Sequence, residues 1–471
     1  MGGRPNILFF LADDQRFDTI GALGNRQILT PNLDRLVARG TVFTHAHIAG
    51  GTCPAVCMPS RAMLHSGRTL FRLAGEGQEI PAAHAILGES LRQTGYVTFG
   101  TGKWHNGRAS YARSFSCGAE IFFGGMGDHW NVPAYDFDLS GRYAATCPFV
   151  PQPETSNALA YRACNHITAG KHSTDLFVDA ARQFLRERDG ARPFFMYVSL
   201  MAPHDPRTMP EKYLRLYDPA RIELPGNFMP EHPLDTGALR VRDELLAPLP
   251  RTPHDIRRHI AEYYAMISHL DDGLGRLAAA LREAGELDNT IIVFSGDNGL
   301  ALGQHGLMGK QNLYDHSVRV PLIFSGPGIP QGARSRALVY LSDIFPTLCE
   351  LAGLDTPESV EGKSLASCFT DPKCRLRDTL YLAYGNSIRG VRNERYKLIE
   401  YACGASQLFD LAQDPLETQN LAAGAAVNET VSAMRRTLCR LADEWGDAQH
   451  STGHEFWNRR AELRSHQASS V

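Results

Sequence analysis

Five short apolar runs, each ending in charged, polar or glycine-rich residues, constrain the fold of this chain more than any other feature. They are NILFFLADD (Asn6 to Asp14), YVTFGTGKWH (Tyr96 to His105), PFFMYVSLMAPH (Pro193 to His204), TIIVFSGDNG (Thr290 to Gly299) and VPLIFSGPG (Val320 to Gly328). Runs of this length and apolarity read as strands buried on both faces, the pattern of a parallel sheet. Helical patterns lie between them. STDLFVDAARQFLRERDG starts at a capping Ser173 or Thr174 and ends at Gly190. The longest starts near Thr252, where Ile256, Ile260, Tyr263, Ile267, Leu270, Leu274, Leu277 and Leu281 form one apolar stripe. Asp271 and Asp272 on this helix read as a solvated face, or as the cap of a break at Gly273. Strands alternating with helices predict an α/β fold, a large and mostly parallel sheet sandwiched by helices.

Two segments do not fit that alternation. Asn106 to His172 is rich in glycine, aromatics and histidine, and Asp205 to Pro253 holds nine of the 27 prolines. Both read as long surface excursions that shape a pocket or an oligomer interface. Beyond about Pro372 the texture changes. TLYLAYGNSIRGVRNERYKLIEY predicts antiparallel strands with turns at Gly385-Asn386 and Asn393-Glu394, a helix follows from about Ala426 to Trp445, and the last dozen residues read as frayed. The expected division is therefore a catalytic domain over 1–371 and a smaller α+β subdomain over 372–471.

Composition narrows the class. With 48 basic and 51 acidic residues there is no excess positive charge for a phosphate backbone, which argues against nucleic acid as a partner. No stretch is long and apolar enough to span a bilayer, and the N-terminal run lacks a secretory cleavage pattern, so the expected location is cytoplasmic, or periplasmic or secreted if a signal has been removed. Ten scattered cysteines without a CxxC pair make a poor disulfide framework, and most read as small buried apolar residues; Cys53 and Cys57, four apart, would bridge only under oxidation.

In parallel sheets ligands sit outside the carboxyl ends of the strands. Four run endings carry reactive groups: Asp13-Asp14, Lys103 with His105, His204, and Asp297-Asn298. Three carboxylates and an amide carbonyl suit a hard divalent cation, calcium or magnesium, and not zinc. Either pair alone is equally an ordinary turn or strand cap; together at one sheet edge they make a cation site. Arg61, Lys103 and Lys310 supply fixed positive charge, and His105 and His204 supply protons or hydrogen bonds, a set that neutralises a tetrahedral oxyanion.

CMPSRAMLHSGR (Cys57 to Arg68) resembles the signature C-x-P-S-R-x-x-L-L-T-G-R of the type I, formylglycine-dependent sulfatases of the alkaline-phosphatase-like superfamily. NILFFLADDQR, GKWHNG, APHDP, SGDNG and GQHGLMGK resemble that family's other motifs, in its order, and LFDLAQDPLETQNLA extends the resemblance nearly to the C-terminus. The resemblance implies that Cys57 is oxidised to formylglycine by a separate maturation enzyme, which reads Cys57, Pro59 and Arg61 in the extended chain. It implies calcium, with magnesium as the alternative, bound by Asp13, Asp14, Asp297, Asn298 and modified Cys57. Arg61 and Lys103 would stabilise the hydrated aldehyde, and His105 would take the proton that drives sulfate elimination. His204 and Lys310 would hold sulfate and help protonate the leaving group, and Asp297 is a further candidate base. His65 and Ser66 depart from the signature, where leucine and threonine are common. His65 reads as a partner-satisfied or exposed side chain, and His129 and His172 as histidines that no motif assigns.

The implied activity is hydrolysis of a sulfate ester, of a sulfated carbohydrate on the overall pattern, with a small molecule or oligosaccharide as the bound partner. Choline sulfate and aryl sulfates are the alternatives, as is a phosphoesterase or phosphonate hydrolase of the same superfamily. A non-catalytic binder of sulfated sugars is the reading of another class, and it applies if Cys57 stays a thiol.

Overall fold

The computed structural model describes residues 4–469. Eight strands form the main sheet: β1 (Asn6–Ala12), β2 (Gly40–Phe43), β3 (Val97–Lys103), β4 (Cys117–Phe122), β5 (Phe194–Ser199), β6 (Thr290–Gly296), β7 (Leu322–Ser325) and β8 (Ala333–Ser335). Their spatial order is β8-β2-β7-β6-β1-β5-β3-β4. β1 lies inside the sheet, parallel to both neighbours, with Phe9 level with Tyr197 on one side and Val293 on the other. Its alternate residues feed two separate cores. Ile7, Phe9 and Leu11 face one, and Leu8, Phe10 and Ala12 face the other, which is why the run is apolar at every position.

The expected parallel direction fails at one strand. Val320 to Gly328 contains β7, which runs antiparallel to β6 and β2. The chain leaves β6, crosses the carboxyl edge through Asp297 to Lys310 and folds straight back. A return on the same side needs no crossover helix, and antiparallel pairing is the result. Three strands had no readable signal. β2 has only four residues, β8 has three, and β4 is half-exposed over much of its length, so none makes a long apolar run. β4 also places part of the expected 106–172 excursion in the sheet. The rest is surface structure, including an exposed hairpin pairing Thr146–Phe149 with Ala160–Ala163.

Six helices matter for the site: α1 (Pro31–Ala38), α2 (Cys57–Ser66), α3 (Ser173–Glu187), α4 (Pro253–Glu283), α5 (Asn428–Trp445) and α6 (Ser451–Ser469). The α4 stripe from Ile256 to Leu281 is buried as expected, and Thr252 caps its start by accepting from Asp255 N at 3.1 Å. There is no break at Gly273. Asp271 is not on a solvated face either: it is buried and accepts from the backbone N–H groups of Asn32 (3.1 Å) and Leu33 (2.7 Å), capping α1 from another helix. Asp272 accepts from Tyr213 Oη at 2.9 Å. α3 is capped by His172, whose ring accepts from Thr174 N, in place of the expected Ser173 or Thr174.

The C-terminal strands β9 (Leu380–Tyr384), β10 (Ile388–Arg392), β11 (Tyr396–Tyr401) and β12 (Ser406–Asp410) form an antiparallel meander with turns at the expected places. A two-residue strand from far upstream, Gly50–Gly51, joins its edge beside β9. Gly50 has φ 99°, and a side chain there would collide with the Ala383 carbonyl, so only glycine fits the seam. Lys397 of β11 ion-pairs with Asp315 and with Glu417 (2.7 Å), tying the meander to the loop that follows β6. The expected fraying of the last dozen residues is replaced by α6 up to Ser469; Ser470 and Val471 lie outside the described residues. Buried Asp447 anchors α6 to the meander. It receives Arg389 through two bonds (2.7 and 2.9 Å), Tyr381 Oη (2.6 Å) and Trp457 Nε1 (2.9 Å). Cys368 and Cys374 are joined in a disulfide, an exception to the expected free thiols, whereas Cys53 and Cys57 remain unbridged. No helix among the described residues is long and apolar enough to cross a membrane.

Two stability outcomes follow from these buried groups. Asp447→Ala leaves Arg389 charged and unpaired, and should destabilise the fold by about 3–5 kcal/mol in urea titrations. Burial depresses His47 and His305 to about 3, and His45 to about 2 with help from Arg319. Each therefore stays neutral in the folded chain and protonates near 6.5 when unfolded. Below that pH the unfolded state binds more protons, at a cost of about 2 kcal/mol per histidine by pH 5. Asp271 and Glu417, both raised to about 6 chiefly by burial, act in the opposite sense and offset part of this. The thermal midpoint should fall steadily between pH 7 and pH 5, and a flat profile would contradict the balance.

Candidate active site

The carboxyl edge of the sheet gathers the expected residues from five separate segments. Asp13 and Asp14 follow β1, Asp297 and Asn298 follow β6, Lys103 ends β3 and His105 lies just beyond it, His204 follows β5, and Cys57 opens α2. Lys310 arrives on the return loop before β7. Backbone bonds fix the strand exits: Asp13 N donates to Ala202 O, and Asp297 N to Ala12 O. Asp14 takes a left-handed φ of 65° and is pinned there by Tyr263 Oη, which donates to its carbonyl at 2.5 Å and accepts from Arg16 N at 2.9 Å.

α2 is docked by the side chain one turn after Cys57, on the same helix face. Arg61 Nε donates to Asp297 Oδ2 (2.7 Å), and its Nη1 donates to Lys103 O (3.0 Å) and Ser199 Oγ (2.6 Å). Ser60 Oγ donates to Asp297 O at 2.6 Å, and Asn106 Nδ2 donates to Met58 O at 2.9 Å. The Cys57 sulfur is thereby held 3.4 Å from Lys103 Nζ and 3.5 Å from His105 Nδ1. Ser199, Asn106 and Tyr263 were not singled out from sequence. Ser199 ends an expected strand and Asn106 lies inside GKWHNG, but Tyr263 reads only as one more core residue of α4.

Charges in this pocket are paired across it. Lys103 Nζ lies 2.6 Å from Asp13 Oδ2, and Lys310 Nζ 2.6 Å from Asp14 Oδ1. Asn298 Nδ2 donates to Asp14 Oδ1 at 2.7 Å, and His204 Nε2 lies 3.7 Å from Asp14 Oδ2. Burial pushes Asp13 up, but Lys103, His204 and Arg61 together pull it below the usual range. Asp297 moves the other way, because burial and the nearby Asp13 outweigh Arg61 and Lys103. Burial also raises the Cys57 thiol, so at neutral pH it is protonated and a poor nucleophile as it stands. Burial, with Lys103 next, lowers His105 to about 2, which leaves its imidazole neutral.

The donor set fits a hard divalent cation. Buried Asp13 Oδ1 and Asn298 Oδ1 have no hydrogen-bond partner, although buried oxygens are nearly always satisfied. One ligand atom each from Asp13, Cys57 and Asp297 lies within 4.8 Å of the others. A cation among these oxygens would satisfy both orphans and relieve the repulsion that raises Asp297.

The three unassigned histidines do not enter the pocket. His65 is buried, stacked on Trp104 (4.3 Å between centroids) and bonded to Tyr197 Oη at 3.1 Å, a partner-satisfied core residue in the place of leucine. His129 donates from Nε2 to His204 O at 3.0 Å and meets Ser173 Oγ at 2.7 Å, so it supports the loop that carries His204. His172 caps α3, stacks on His129 and reaches Thr208 O at 2.9 Å.

Known proteins share both the sequence and this fold. The family model described as Sulfatase matches residues 5–354, and one described as N-sulphoglucosamine sulphohydrolase, C-terminal, matches 303–444. A sulfatase of Formosa agariphila is 28% identical over 94% of this chain and 88% of its own. An N-acetylglucosamine-6-O-sulfatase of Bacteroides thetaiotaomicron is 26% identical over 89% of this chain and 82% of its own. A solved structure in complex with its substrate D-glucosamine-2-N,6-O-disulfate superposes with a TM-score of 0.75 at 23% identity, covering 95% of this chain and 99% of its own, which shows a common fold. The match over residues 5–354, three quarters of the length and every motif of the pocket, makes this chain a member of the sulfatase family.

Proposed function

We propose that this sulfuric ester hydrolase removes sulfate from a carbohydrate, with Cys57 converted to formylglycine and calcium held by Asp13, Asp14, Asp297 and Asn298. One observation carries the reading: the Cys57 sulfur, raised in pKa and unfit as a thiol nucleophile, sits against Lys103 and His105 beside two orphaned cation-seeking oxygens. That sulfur marks where the oxygens of the aldehyde hydrate would lie. When bound, the cation supplies positive charge that polarises the sulfate and favours ionisation of the attacking hydroxyl.

The chain's own residues then divide the work. Arg61 and Lys103 steady the hydrate. One hydroxyl attacks sulfur, with Asp297 as the candidate base, and the alcohol departs. His204 and Lys310 hold the sulfate oxygens and help protonate the leaving oxygen. His105 takes the proton of the second hydroxyl, sulfate is expelled, and the aldehyde re-forms. A serine in this position would complete the first half and lack the elimination route. The maturation enzyme that the resemblance implies is a further partner.

The N-acetylglucosamine-6-O-sulfatase and an ulvan-active sulfatase support a sugar as the alcohol, while an arylsulfatase and a choline-sulfatase are equally similar to this chain. A two-metal phosphatase is disfavoured because, among the described residues, one group of His, Cys, Asp and Glu side chains is placed to hold an ion. We take 1–371 as the catalytic domain and 372–471 as the smaller subdomain, a cut supported by the antiparallel meander that starts at β9.

The direct test is mass spectrometry of the Cys57 peptide from protein made alongside a maturation enzyme. An aldehyde is expected there; an unmodified thiol in an active sulfatase would overturn the mechanism. Cys57→Ala should lower turnover by at least about 1,000-fold with an unchanged melting profile. Asp13→Asn should weaken calcium binding by at least about 10-fold in titration calorimetry, and unchanged affinity would remove Asp13 from the shell.

A further inference from the structure

Beside His204 and Lys310 lies a ring of polar side chains of which only Asp205, in APHDP, belongs to a motif. Arg242, on the proline-rich excursion, leaves 45% of its side chain exposed while ion-pairing with Asp205 Oδ2. Its Nη1 lies 3.4 Å from Asp243 Oδ1. Asp243 Oδ2 accepts from Gln311 Nε2 at 2.7 Å, and the same amide nitrogen donates to Pro54 O at 2.9 Å, in the loop leading to Cys57. Gln311 Oε1 accepts from Lys310 N at 3.0 Å. On the other side His204 Nδ1 donates to Asp205 O at 2.7 Å and lies 3.6 Å from Asp205 Oδ1. The ring therefore joins the two residues assigned to the sulfate, and its exposed member is a guanidinium.

The charges of this ring discriminate among alcohols. Asp205 and Asp243 are both buried. Burial raises each of them, but His204 brings Asp205 down to about 2, and Lys310 with Gln311 draws Asp243 below the usual range. Asp205 and Asp243 thus share Arg242, and Arg207 and Lys310 add further positive charge beside them. An aryl group would cover these charges and offer them no hydrogen bond, which is costly. A trimethylammonium group has no donor for the carboxylates and would meet Arg242 first. A hydroxyl suits both, because it donates to a carboxylate and accepts from a guanidinium, and neighbouring hydroxyls fit the fork of an arginine.

We infer that Arg242 and Asp243 read the hydroxyl groups of the leaving alcohol, and so select a polyhydroxylated sulfate ester, a sugar sulfate, over aryl and choline sulfates. This inference rests on the sulfate-ester reading above.

The test compares kcat/KM for a panel of monosulfated neutral hexoses with that for 4-nitrophenyl sulfate and choline sulfate. It uses full-length protein whose aldehyde content has been verified. Wild type should prefer at least one hexose sulfate. In Arg242→Ala and Asp243→Asn the ratio of hexose sulfate to 4-nitrophenyl sulfate should fall by at least about 30-fold, chiefly through KM. Arg242→Lys, which keeps the charge beside Asp205 but loses the fork, should restore folding and only part of the selectivity. An equal loss on both substrates in Arg242→Lys and Asp243→Asn would show that the ring merely props His204 and Lys310, and would overturn the inference. So would a wild type that prefers 4-nitrophenyl or choline sulfate to every hexose sulfate, an outcome that leaves the sulfatase reading standing. Failure of aldehyde-bearing wild type on every sulfate ester would instead sink the sulfatase reading, and this inference with it.

Discussion

The ion pair between Arg61 and Asp297 is buried on both sides, and most of the site's geometry hangs on it. Its bond at 2.7 Å fixes α2 to the end of β6. The other guanidinium nitrogen carrying bonds reaches the ends of β3 and β5, so one side chain registers the helix against three strands. A buried pair of this kind contributes little net stability, because desolvation consumes most of the attraction. Its value is positional. Cys57 lies one turn away, and its sulfur inherits the register of the sheet.

Around that pair the pocket holds an unusual concentration of charge. Three carboxylates, two lysines and an arginine are all buried within the same strand ends. Each lysine takes one aspartate, Arg61 takes the third, and oxygens are still left over on Asp13 and Asn298. The opposed shifts of Asp13 and Asp297 express the same tension, since both carboxylates cannot be comfortably ionised side by side without more positive charge. A divalent cation would resolve it by supplying what the side chains do not.

Much of this was legible in the residues, and the failures have physical causes. Four of the five apolar runs are parallel strands because central strands need apolar side chains on both faces, and every proposed site residue lies at the carboxyl edge. The direction of β7 was not legible, because direction depends on how the chain returns, and apolarity is silent on that. β2, β4 and β8 were too short or too exposed to show a pattern. Asp271 was misread because its partners, Asn32 and Leu33, are 238 and more residues away in sequence. The same blindness hid Arg242. An arginine among prolines reads as surface charge until the fold brings Asp205 and Gln311 to it.

Under the proposed conversion of Cys57, the seam between Gly50–Gly51 and β9 would set a time limit during synthesis. Ala383 and Gly385 bond across it to the residues just ahead of Cys57, and the finished fold buries the thiol. A catalyst that must read Cys57 to Arg61 in an extended chain needs that segment unsewn. The needle arrives only when Leu380–Tyr384 has been made, roughly 300 residues after the cysteine. At about 5–20 residues per second this leaves on the order of 15–60 s. Ribosome speed between these two points, as much as the abundance of any maturation enzyme, would then govern what fraction of the chains becomes competent.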